Sequence, residues 1–176
     1  QGRRGFFDPL RRMKADIAWN PARAGSFESA DVTIRWSSRE GVHLTETNAE
    51  TFGPEMVLLG PLAAISRGET VLRRPPCAGT GEWFTLLTTG LESLGATVGE
   101  YSEGIVVKGG GELRGDLTDA GECGPAALAF ALAGLTASGT TSVFGYDRDM
   151  YPVGEFLSII GKLSGSSTHP IPGLLR

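Results

Sequence analysis

Apolar positions along the chain fall into two recurring patterns. The first appears in residues 5–19 (GFFDPLRRMKADIAW), 81–100 (GEWFTLLTTGLESLGATVGE) and 151–164 (YPVGEFLSIIGKLS). In each, an aromatic residue opens a segment whose apolar residues recur at i, i+3 and i+4, which predicts an amphipathic helix. Leu10 and Met13, Leu91 and Leu94, and Ile160 and Leu163 close the three helices. In the first two an alternating strand follows, at Lys14-Ala15-Asp16-Ile17 and Gly95-Ala96-Thr97-Val98. The second pattern is an Ala/Leu-rich helix that ends in Gly and runs into a Thr-containing strand. It appears in 58–73 (LLGPLAAISRGETVLR) and 128–144 (LAFALAGLTASGTTSVF). Gly68 and Gly139 hold the same place in the two copies, about 70 residues apart, a period that means stacked copies of one unit.

The implied unit is strand–helix–strand–helix–strand–strand, and the implied class is α+β. The Ala-rich helices are apolar on most faces and belong at the centre; the amphipathic ones cover the outside. Strands are expected at Asp31–Trp36 and as a hairpin joining Ala96–Gly99 to Gly104–Lys108 across a Tyr-Ser-Glu-Gly turn. Gly60-Pro61 lies inside a helical pattern and predicts a kink or a late helix start. The domain is expected over residues 1–163. The tail, 164–176, is rich in Ser, Pro and Gly and reads as an extended arm. It is either a frayed terminus or a docking peptide that lays Ile171 and Leu174 into a neighbour.

Composition narrows the classes. The chain has 176 residues and is 40% apolar, enough to bury a core in one domain, or in one domain and a fragment. No apolar run approaches the roughly 20 residues of a membrane span. Sixteen Lys and Arg against 20 Asp and Glu give a net charge of −4, which argues against a nucleic-acid footprint. Two Cys cannot by themselves build a disulfide scaffold or a zinc site, and no cofactor motif stands out. No basic-then-apolar signal segment opens the sequence, and the compartment stays open, with a lean toward a reducing one such as the cytoplasm or an organelle interior. The 26 Gly recur singly after helical stretches, as helix stops and turn residues do.

At this resolution the sequence resembles the C-terminal part of enolpyruvylshikimate-phosphate synthase, an enolpyruvyl transferase. The resemblance runs from about Gly5 to Leu163. It rests on GFFDPLRRMKADI, ADVTIRWSSREGV, the Pro54-Glu55 helix start with ISRGETVLR, LESLGATV with GIVVKGGGELRG, and AALAFALAGLTASGTTSV with MYPVGEFLSIIGKL. It implies three βαβαββ units around a pseudo-threefold axis, here incomplete at the N-terminal side. It also implies a reaction that moves the enolpyruvyl group of phosphoenolpyruvate onto shikimate 3-phosphate. Both substrates are anions, so such a site needs cations to hold them and a group to move a proton.

The family's charged motifs can be placed one at a time. Its Asp-Glu pair reads Pro54-Glu55 here. Its Lys-Glu-Ser-Asp-Arg run reads Gly79-Thr80-Gly81-Glu82-Trp83, with Cys77 at the preceding Arg. Its Asp-His-Arg triplet reads Cys123-Gly124-Pro125, and its Lys before the Tyr-Pro pair reads Asp149. Each charged hydrogen bond to a ligand contributes about 1.5–3 kcal/mol. Losing four costs roughly 6–12 kcal/mol, or about 4–9 decades in affinity or rate.

Other candidates have plainer readings beside the functional ones. Cys77 and Cys123 are either two small buried thiols or a redox pair or half a metal site. His43 and His169 read as solvated or capping residues. Gly109-Gly110-Gly111 lacks the order of a phosphate cradle and reads as a turn. The acidic stretch Asp116–Glu122 reads as a capping run ahead of Pro125. Tyr146-Asp147-Arg148-Asp149 is a polar turn or a contact loop, and Trp83 either fills a vacated cleft or grips a partner. Three roles follow: an inactive structural or interaction subunit of a larger protein assembly, the C-terminal portion of a transferase completed elsewhere, or a sensor of anionic metabolites.

Overall fold

The structure, a computed structural model, describes residues 6–24, 27–35, 37–44, 54–74, 80–146 and 153–164. Helix α1 (Phe7–Arg12) leads into a long hairpin, β1 (Asp16–Ala24) and β2 (Phe27–Arg35). Then come β3 (His43–Leu44), a 3₁₀ turn (Pro54–Leu58), α2 (Leu59–Ile65), β4 (Glu69–Arg73), α3 (Thr80–Ser93), β5 (Thr97–Tyr101) and β6 (Gly104–Lys108). The chain continues through β7 (Leu117–Asp119), α4 (Gly124–Gly134), β8 (Ser142–Phe144) and α5 (Val153–Ser164). The stretch from β3 to β6 is one whole βαβαββ unit. Its sheet has the order β3-β4-β6-β5, with β3 parallel to β4 and the other neighbours antiparallel. Before it stand the second helix and hairpin of a unit (α1, β1, β2). After it stands the front half of another (β7, α4, β8, α5), whose two strands pair in parallel.

The repeat holds down to single hydrogen bonds. Arg67 N–H donates to Arg39 O and Gly41 N–H to Arg67 O at 2.9 and 2.6 Å. One unit on, Ser138 N–H donates to Leu113 O and Gly115 N–H to Ser138 O at 2.9 and 2.7 Å. Gly41 lies so close to the backbone of Glu69, and Gly115 to that of Thr140, that no side chain fits between. Both helix exits repeat as well. Met13, Lys14 and Ala15 donate to Pro9, Arg11 and Leu10, as Leu94, Gly95 and Ala96 donate to Gly90, Glu92 and Leu91. The residue after each helix takes a positive φ, 85° at Gly95 and 68° at Lys14.

The central helices are the Ala-rich ones, as their composition predicts. Leu59, Gly60, Pro61, Ala63 and Ala64 of α2 are buried, as are Ala126, Ala127, Ala129, Phe130 and Ala133 of α4. Gly60-Pro61 produces the late start: the chain first turns as a 3₁₀ helix and becomes α-helical only at Leu59. Helix α3 buries Leu87 and Leu91 and exposes Glu82 and Glu92, so it lies outside. It meets α4 at Gly90, where any side chain would strike the ring of Phe130. The Gly109-Gly110 turn folds back onto α2, with Gly109 N–H donating to Gly68 O at 2.8 Å and Gly110 N–H to Ala64 O at 3.1 Å.

Two expectations change. The expected Asp31–Trp36 strand begins earlier, at Phe27, because β2 pairs with β1 residue for residue from Phe27↔Ala24 to Arg35↔Asp16. The Asp116–Glu122 stretch does not cap α4: residues 117–119 are a strand, drawn into parallel pairing with β8. Its Asp119 Oδ1 accepts from Gly121 N–H at 2.9 Å and so closes a turn. The tail, with Ile171 and Leu174, lies outside the described residues.

Two stability predictions follow. Lys14 occupies a left-handed conformation that glycine adopts without a Cβ penalty, so Lys14→Gly is expected to raise the free energy of unfolding by about 0.5–1 kcal/mol in urea titration. Gly90→Val forces α3 away from the Phe130 ring and is expected to cost about 1–3 kcal/mol in the same measurement.

Candidate functional site

The motif positions sit at the N-terminal ends of helices. Pro54 and Glu55 open the 3₁₀ turn, which packs against both α3 and α4. Thr80 to Trp83 form the first turn of α3. Glu82 is exposed, and Trp83 is half-buried with its side chain packed on the core. Cys123 precedes α4, while Gly124 and Pro125 are buried in its first turn. Three of the four motif stretches therefore open helical segments. Cys77 and Gly79 lie outside the described residues, as do Arg148 and Asp149. Tyr146 is half-buried and packs on the core.

The start of α4 shows what these residues can do. A helix N-terminus presents unpaired N–H groups and favours negative charge. Cys123 enters it in an extended conformation, φ −93° and ψ 101°, and no side chain caps it. Its half-buried thiol is pushed above the usual thiol range by desolvation. The Ala126 N–H beside the sulfur opposes that rise, and sulfur is too weak an acceptor to reverse it. A thiol held neutral at pH 7 is a poor nucleophile. Pro125 has no N–H to offer, which suits the first turn of a helix but provides no hydrogen bond to an anion.

The neighbouring arginines are already engaged. Arg73 pairs with Glu103 at 2.8 Å. The Arg74 guanidinium lies 5.7 Å from the centre of the Phe84 ring, one turn into α3. Arg12 donates from Nη2 to His43 O at 2.6 Å and ties α1 to β3, so His43 serves through its backbone while its side chain is exposed. Arg73 and Arg74 stand at and just after the end of β4, and no expectation drawn from the sequence included their partners. The available signal was the pair of arginines at the end of β4 with aromatic residues opening the next helix. Among the described residues no three His, Cys, Asp or Glu side chains gather as a metal site would require, and no helix is long and apolar enough to cross a membrane.

The repeated βαβαββ unit with buried Ala-rich helices defines an enolpyruvyl-transferase-type domain. The solved EPSP synthase of Acinetobacter baumannii superposes with a TM-score of 0.79 over 92% of this chain, at 24% identity. The enolpyruvyl transferase NikO of Streptomyces tendae does so with a TM-score of 0.60 over 89%, at 25% identity. In sequence, the chain is a homologue of the 3-phosphoshikimate 1-carboxyvinyltransferases, corresponding to their C-terminal domain. It is 33% identical over 165 residues to that of Roseiflexus sp. and 30% identical over 164 residues to that of Roseiflexus castenholzii. Both matches take in 92% of this chain but only 38% of the relative's length. No family model matches the chain.

The Cys123 thiol sets a measurable expectation. Its folded form holds the proton to higher pH than the unfolded form. The stabilisation this gives is intact below the unfolded thiol range and is lost as pH climbs through the folded value. In a Cys77→Ser background, alkylation of Cys123 by iodoacetamide at pH 7.4 should run slower than that of a free thiol in a short peptide. Its rate should go on rising with pH after that of the peptide has levelled off.

Proposed function

We propose that the chain is an enolpyruvyl-transferase-like domain without transferase activity, acting as a structural or interaction subunit of a larger assembly. One observation carries the reading: the helix starts where the resembled family places its cations and proton-transfer groups hold Glu82-Trp83 and Cys123-Gly124-Pro125. At the first, Glu82 would repel an anion and Trp83 fills space against the core. At the second, Gly124 and Pro125 are buried and the thiol is neutral, so no side chain there carries a charge to hold a phosphate or carboxylate. Ahead of α3, Arg73 pairs with Glu103 and the Arg74 guanidinium lies over the Phe84 ring.

A second reading has an observation of its own. The relatives are called 3-phosphoshikimate 1-carboxyvinyltransferases and are longer than this chain. The chain would then be one portion of such an enzyme, with its site completed by another domain. Incubation of the chain, supplemented with the part of the Roseiflexus sp. relative that it does not match, with shikimate 3-phosphate and phosphoenolpyruvate, with phosphate release followed continuously, separates the two. Loss of four charged contacts predicts release at least about 10⁴-fold below that of the Roseiflexus sp. relative assayed alongside. Turnover within a hundredfold of that relative would overturn the inactive reading.

A further inference from the structure

We draw no further inference here: the strongest candidate, the apolar face of β2 on which Val32 and Ile34 are exposed, carries nothing because nothing in the structure shows what covers it.

Discussion

The spacing of the two layers is set where Phe130 of α4 rests on Gly90 of α3. A helix as apolar as GPAALAFALAG has no preferred wet face, so it gains only by being surrounded. Here it is surrounded by the 3₁₀ turn, α2, α3, β8 and α5. Phe130 is its largest fully buried side chain, and full burial of such a ring contributes about 1.5–3 kcal/mol. That gain requires the absence of a Cβ at residue 90. The amphipathic face of α3 then falls in register over β5 and the core, with Leu87, Leu91 and Leu94 pointing inward.

Much of this was legible because the signal was periodic. Ala-rich stretches gave the central helices, and the i, i+3, i+4 spacing gave α1, α3 and α5. The shared place of Gly68 and Gly139 gave the repeat. What escaped was short or non-periodic. Residues 117–119 are Leu-Thr-Asp, too brief and polar to read as a strand, and they become one only because Ser142–Phe144 arrives from 25 residues downstream to pair with them. Lys14 gives no turn signal, yet it takes the conformation of Gly95 because the helix exit demands it. The motif positions can be counted back from Leu94-Gly95 and Gly134-Leu135, and the structure puts those it describes at helix starts. What the sequence could not say was how its arginines are spent, since Arg73 and Arg74 find Glu103 and Phe84 through tertiary contact alone.

The contrast between scaffold and site has a physical basis. Core positions are constrained by volume on every side, so one added methyl group is felt. A helix start asks for less, a backbone from which the first turn can form. Pro125 and Cys123 satisfy that weaker demand. One supplies a favourable φ, the other an extended entry, and neither brings the charge that anionic substrates would need.

The joints between units do not depend on which side chains stand at them. Where Arg67 meets Arg39 and Gly41, and where Ser138 meets Leu113 and Gly115, all the bonds run between peptide groups. A guanidinium occupies one joint and a hydroxymethyl the other, and the geometry is the same. The frame is thus written in amides and in a few obligatory glycines, while side-chain chemistry is written elsewhere. Substitutions away from those glycines therefore leave the joints as they are.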